Sequence, residues 1–154
     1  MLLSRDFELE EFACHSGEAV PDNLIPSLHK LVLEVLQPIR SAWANPLVVV
    51  SGWRSRAWNE RVGGAKASTH ITASGADIRP MRPRDTMILA SMVEEMLVKG
   101  QLRGLGGLGK YASWIHVDTM KARDGHLRRW RGKGMGSELV VVDSEADTGP
   151  VTLG

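Results

Sequence analysis

At 154 residues, with 43% hydrophobic content, the chain is one domain's worth, long enough to bury a core without staples. Nineteen Lys and Arg against eighteen Asp and Glu leave a net charge of +1, which excludes a disordered polyelectrolyte or a nucleic-acid-coating protein. The single cysteine, Cys14, excludes an intrachain disulfide framework, and no apolar run is long enough to span a bilayer.

The segment Met1 to Asp6 has no apolar run of signal-peptide length before charges begin, so the protein is expected to be made in the cytoplasm. Asp6 or Ser4 caps a short helix through Phe7, Glu10, Glu11 and Phe12. Cys14 and His15 lack two further ligands nearby, so Cys14 reads as a half-buried thiol rather than a zinc ligand. After turn residues from Gly17 to Pro26, apolar side chains recur at Leu28, Leu31, Val32, Val35, Leu36, Ile39 and Trp43. They predict the longest helix, which Pro38 should kink or restart.

Asn45-Pro46 ends that helix, and Leu47 to Val50 reads as a buried central strand that delivers Ser51-Gly52-Trp53-Arg54 at its end. Ala57 to Ala67 reads as an irregular excursion with turns at Asn59 and Gly63-Gly64. Ala76 to Ile78 is a second strand. Asp85 caps a helix to about Lys99, with Ile88, Met92, Val93, Met96 and Leu97 inward. Leu105 to Gly109 and Trp114 to Thr119 form an antiparallel pair. The glycines at 104, 106, 107 and 109 would leave bare backbone for an extended peptide to lie against. Arg123 to His126 is a turn, and Leu127 to Trp130 a last strand whose tryptophan covers the core. His126 reads as a surface histidine, although it could reach a site formed by its neighbours. Residues 1–133 form the domain, and 134–154 a flexible tail in which Val140 to Val142 could add an edge strand. The fold class is α+β: a small central, mainly antiparallel sheet with helices packed on one side and a cleft on the sheet.

Two short motifs carry the chemistry. Ser68 to Asp77 contains His70 and Asp77, and Trp114 to Asp118 places Trp114, His116 and Asp118 on one strand face. Two imidazoles and one carboxylate match a catalytic zinc, with a fourth position left for water. Spacing alone favours the alternative of ordinary hydrogen-bonded histidines over the zinc.

In order along the chain, Ser51-Gly52-Trp53-Arg54-Ser55, Asn59, Val62-Gly63-Gly64-Ala65, Ser68-x-His70, Gly75-Ala76-Asp77 and Gly107-x-Gly109-x-Tyr111 lead into Trp114-Ile115-His116-Val117-Asp118. Together they resemble the M15 zinc peptidases, over about Phe7 to Trp130. The resemblance is to the subgroup of D-alanyl-D-alanine carboxypeptidase-like proteins and phage peptidoglycan endopeptidases. It implies zinc as cofactor on His70, Asp77 and His116, and Arg54 as the cation that binds a substrate carbonyl or carboxylate. It places Trp53, Ser68 and Tyr111 beside the substrate. The family usually reads His-x-x-Gly-x-Ala-x-Asp, whereas Ala73 and Gly75 stand at the small positions here. Several relatives carry an acidic base three residues before the last histidine, and this chain has Ser113. Asp118 then takes the base role, or holds a ligand without touching a proton.

The implied activity is zinc-dependent hydrolysis of an amide in the peptidoglycan stem peptide or cross-link, as in a phage or prophage endolysin. The alternative is a catalytically impaired wall-binding or virion structural protein that keeps the zinc for stability. The implied partner is a peptidoglycan peptide, with no nucleic acid and no membrane insertion. The protein is expected to be a monomer that reaches the wall with help from a holin-like permeabilising protein. Arg54, Arg56 and Arg61, and the later group Lys121, Arg123, Arg128, Arg129, Arg131 and Lys133, would form a basic rim toward an anionic polymer, or a plain solvated surface.

Overall fold

The computed structural model describes residues 1–132. Five strands, β1 (Leu47–Ser51), β2 (Gly75–Pro80), β3 (Gly107–Lys110), β4 (Ile115–Asp118) and β5 (Arg128–Arg131), form one sheet in the order β1-β2-β4-β3-β5. The first three pairings across the sheet are antiparallel, and β5 joins β3 in parallel. Helices α1 (Ile25–Leu31), α2 (Gln37–Trp43), α3 (Arg56–Arg61) and α4 (Thr86–Val98) complete an α+β fold. The tail expected from 134 onward, with its valine triplet, lies outside the described residues.

Alternation along the strands separates two faces. Ala76 and Ile78 of β2, Leu108 of β3, and Ile115 and Val117 of β4 point to one side, where they join the core with Leu28, Leu31, Leu36 and Ile39 and with Leu89, Ala90 and Val93 of α4. Ion pairs from Glu94 of α4 to Lys110 at 3.0 Å and to Arg129 at 2.9 Å put that helix on the same side. Residues one step along in each strand, Gly75, Asp77, His116, Asp118, Gly107, Gly109, Arg128 and Trp130, share the opposite face through the observed register.

The long helix forms from Ile25 to Trp43, but not as one α-helix. Val32–Leu36 is a π turn, in which the Gln37 amide donates to the Val32 carbonyl five residues back. Proline has no amide to offer. Placing Pro38 in the first turn of α2, after the widened turn, lets the helix run on. Other expectations change. β1 is an edge strand, not a central one. The excursion at 57–67 contains α3, whose first turn is capped by the Ser55 hydroxyl accepting from the Trp58 amide at 3.2 Å. Ile88 is 62% exposed, and Leu89 takes the inward place beside Val93 and Met96. Near the N-terminus the helix is a single 3₁₀ turn, Leu9–Phe12, with the Glu11 carboxylate accepting from the Glu8 amide at 2.7 Å. Asp6 and Ser4 do not cap it. Both bind the Gln37 side chain and tie the N-terminal segment to the start of α2. No helix among the described residues is long and apolar enough to cross a membrane.

Candidate metal centre and active site

The polar face of the sheet gathers the residues that the sequence singled out. Asp77 on β2 stands directly opposite His116 on β4, because those two strands pair in that register. His70 comes from the loop before β2 and lies over the same spot, its ring centre 5.1 Å from that of His116. One ligand-type atom from each of His70, Asp77 and His116 can be chosen so that all lie within 4.8 Å of one another, and all three residues are buried. A group of this kind can hold a metal ion.

Hydrogen bonds settle which atoms are on offer. His70 Nδ1 donates to the Gly52 carbonyl at 2.7 Å, so its Nε2 carries no proton when the ring is neutral. That Nε2 is buried, finds no hydrogen-bond partner among the described residues, and stands 3.4 Å from Asp77 Oδ1. An orphaned buried acceptor is costly in a folded protein unless something binds it. His116 points Nδ1 at Asp77 Oδ1, 2.9 Å away, and Nε2 at Asp118 Oδ2, also 2.9 Å away. The Thr69 hydroxyl lies 3.2 Å from the same Nε2.

The charge balance fits a cation. Burial alone would raise the pKa of Asp77, but the neighbouring His70 and His116 outweigh it and hold the carboxyl well below the usual range. Burial would lower that of His116, yet its bonds to Asp118 and Asp77 dominate and raise it to about 9. The Asp77 and Asp118 carboxylates already meet positive charge from Arg54 and Arg128, and His116 between them takes up a proton readily; an ion at His70, Asp77 and His116 would replace that proton.

The loop that carries His70 is pinned from below. The Trp53 indole donates to the Ile71 carbonyl at 3.0 Å, the Arg54 amide to the His70 carbonyl at 3.1 Å, and the His70 amide to the Ser68 hydroxyl at 3.2 Å. Trp53 is 7% exposed with its N–H engaged, so it sits beneath the loop rather than in the open. Ala73 holds a left-handed φ of 55°, which explains why the resembling family favours glycine there. At Gly75, where that family has alanine, an added Cβ would run into the Thr69 side chain.

Arg54 is buried at the rim of the cluster. Its Nη2 lies 3.7 Å from Asp77 Oδ2, its Nη1 donates to Asn59 Oδ1 at 3.3 Å, and its Nε donates to the Ser51 hydroxyl at 3.3 Å. Tyr111 stacks on Trp114 at 4.8 Å and accepts a hydrogen bond from the Trp130 indole at 3.0 Å. His126 is exposed and pairs with Asp124 at 2.9 Å.

Asp118 is fully buried, and both its oxygens are engaged. Arg128 Nη2 reaches each at 2.6 Å, the Met120 amide donates to Oδ1 at 2.9 Å, and His116 occupies Oδ2. Burial would raise its pKa, but His116 and Arg128 outweigh that and lower it. Arg128 is therefore not part of a solvated basic rim. Trp130, expected over the apolar core, faces His116 instead, with ring centres 5.3 Å apart. The glycine-rich β3 is likewise not open to a peptide at Gly107 and Gly109, because Arg128 and Trp130 lie across it. Thr69, the Gly52 carbonyl, Arg128 and Trp130 are the contributors that sequence reasoning missed. The period-two spacing of Arg128 and Trp130, matching that of Gly107 and Gly109, was the available signal.

A buried His-Asp-His cluster on the polar face of a small, mainly antiparallel sheet, with an arginine at its rim, defines a metallohydrolase-like site. The chain belongs to the family described as Peptidase M15, whose model matches residues 5–118 and so spans all three cluster residues. The family is one of metallopeptidases, and the chain is accordingly a peptidase. No curated protein matches the chain.

Proposed function

We propose that the chain is a zinc peptidase that cleaves an amide bond in the peptidoglycan stem peptide or cross-link, in the manner of a phage or prophage lysis enzyme. The observation that carries the metal assignment is His70 Nε2, buried and without a partner among the described residues, aimed at the Asp77 carboxylate that His116 also faces. The donor set of two imidazoles and one carboxylate is that of a catalytic zinc with an open position, in contrast to closed structural sites. A zinc ion held there would acidify a water toward neutral pH and polarise a carbonyl. The wall as substrate rests on the ordered motifs shared with peptidoglycan-cleaving relatives.

The chain's own residues have separable tasks. With an ion in place, His70 Nε2 and His116 Nδ1 would be the ligating atoms, each ring oriented by a bond on its far side, to the Gly52 carbonyl and to Asp118. Asp77 supplies the negative charge. Arg54, held by Ser51 and Asn59, donates to the oxygen on which charge builds as the amide carbonyl becomes tetrahedral. Asp118 orients His116 in this reading. A carboxylate whose oxygens are already bound, and whose pKa is lowered, is a poor proton acceptor, which argues against the base role considered from the sequence.

Arg54→Gln is expected to lower kcat/KM by roughly 10²–10³-fold, the usual effect of removing one donor to a developing oxyanion. Zinc content should stay unchanged. Arg54→Lys should restore only part, because an ammonium cannot reproduce the guanidinium fork. Steady-state kinetics with metal analysis of each variant checks this.

The decisive experiment incubates the purified chain with peptidoglycan, measures new amino groups with and without a chelator, and weighs the released muropeptides. Chelator-sensitive release supports the proposal, and the fragment masses name the bond. Release that a chelator leaves untouched, or a protein that takes up no zinc, refutes it. Zinc uptake with no release supports the second reading, a wall-binding or virion protein without turnover. That reading draws on Ser113 standing where several relatives carry an acid, and on the engaged state of Asp118.

A further inference from the structure

We propose that Arg128 is a positioning residue of the site, acting through Asp118 to fix the ring of His116, and that β5 therefore belongs to the active centre. The proposal rests on the metal assignment above and adds a segment beyond residues 5–118, where the family match ends.

The register of three strands carries the argument. Gly107 on β3 lies opposite Asp118 on one side and Arg128 on the other, and Gly109 lies likewise between His116 and Trp130. Side chains from β5 must cross β3 to reach β4, and only bare backbone permits it. A Cβ at Gly107 would stand 2.5 Å from both Arg128 Nη2 and Asp118 Oδ2, and one at Gly109 would stand 2.5 Å from the Trp130 ring. The two glycines thus form a passage two residues long, filled by an arginine and a tryptophan, each directed at one residue of the His116–Asp118 pair.

Arg128 is fixed at more than one point. Its Nε donates to the Met120 carbonyl at 2.8 Å, its Nη2 spans both Asp118 oxygens, and its guanidinium lies 5.4 Å from the Trp130 ring centre. Without it, Asp118 is a buried carboxylate short of one of its two countercharges, a costly arrangement. It would be free to turn toward the small opening that it lines together with Ser68, Thr69, His116 and Met120, and its bond to His116 Nε2 would loosen. His116 would then lose the acceptor that sets its ring angle and directs Nδ1 at Asp77. A residue that only fastened β5 to the sheet would have no need of a charge-assisted bond to Asp118, since the ladder to β3 already does that.

The test is zinc affinity, measured by competition with a chromophoric chelator on folded protein, for Arg128→Gln, Arg128→Lys, Asp118→Asn and the double variant Asp118→Asn/Arg128→Gln. Arg128→Gln is expected to weaken zinc binding about 10–100-fold, as loss of an outer partner of a ligand does, and Arg128→Lys to recover part of it. The double variant should bind no more weakly than Asp118→Asn alone, since the arginine acts through that carboxylate. Unchanged zinc affinity in Arg128→Gln, or additive losses in the double variant, overturns the proposal. If Arg128→Gln fails to fold, Arg128→Lys decides: affinity equal to the wild type overturns the assignment, and a several-fold loss supports it. A wild-type chain that binds no zinc would instead refute the metal assignment itself, a result separable from any difference among variants.

Discussion

Replacing His70 by alanine is expected to remove zinc and peptide hydrolysis together while leaving the sheet and helices in place. The ring is fully buried and spends one nitrogen on the Gly52 carbonyl, so its other nitrogen has a single direction left, toward Asp77. No neighbour can substitute: His116 already faces the same carboxylate oxygen, and Arg54 brings a positive charge rather than a lone pair. A bound metal would bring the pKa of its water down to about 7, far below that of free water, so losing the ion at neutral pH should cost more than about 10⁴-fold in turnover. Stability should fall by a few kcal/mol, about 1–3 from the Gly52 carbonyl left without its donor and the rest from the cavity left by a fully buried ring. Metal analysis, amino-group release and thermal unfolding of the same preparation make the comparison. Turnover near the wild-type rate in this variant would end the metallopeptidase mechanism proposed for these residues.

The second large effect is expected from one methyl group. In Gly52→Ala the new Cβ would stand 2.5 Å from the Phe12 Cα, 2.8 Å from its carbonyl oxygen and 2.9 Å from its Cβ. Two of those atoms are backbone, so no rotamer change relieves the contact. Phe12 cannot retreat freely either, because its ring is fully buried and its carbonyl accepts from the Trp53 amide at 2.9 Å. The end of β1 must therefore part from the N-terminal 3₁₀ turn, carrying with it the carbonyl that orients His70. Overpacking of this kind costs about 3 kcal/mol at the upper end of its range. The displaced carbonyl should weaken zinc binding by at least about 10-fold. Urea unfolding and chelator competition would reveal both changes, and a variant matching the wild type in both would show that the Phe12 contact does not support His70.

The two predictions draw on different kinds of information. His70 and Asp77 were legible as a converging pair from local pattern, through the small residues Gly75 and Ala76 before the aspartate, and alternation turned His116 and Asp118 to one face of a strand; that Asp77 stands opposite His116 came from the strand register. The long apolar periodicity from Leu28 to Trp43 likewise announced a helix. Ser55, a hydroxyl three residues before Trp58, was a cap signal that went unread at α3. Other features had no local signature. The π turn at Val32–Leu36 follows from accommodating Pro38 within a helix whose apolar stripe must keep facing the sheet. The place of β1 at the edge, and the exposure of Ile88 with Leu89 inward, depend on which elements cover which face.

By itself the sequence determined the α+β class, because periodicity and caps act over short stretches of chain, while the three candidate ligands and the arginine near them were marked out by the resemblance that its ordered motifs carry. Only the tertiary structure decided that Arg128 and Trp130 reach the site. Their approach depends on β5 returning parallel to β3 and on two glycines with no side chain to stop them. Pairing of strands about twenty residues apart is fixed by the whole sheet, and no single segment carries that information.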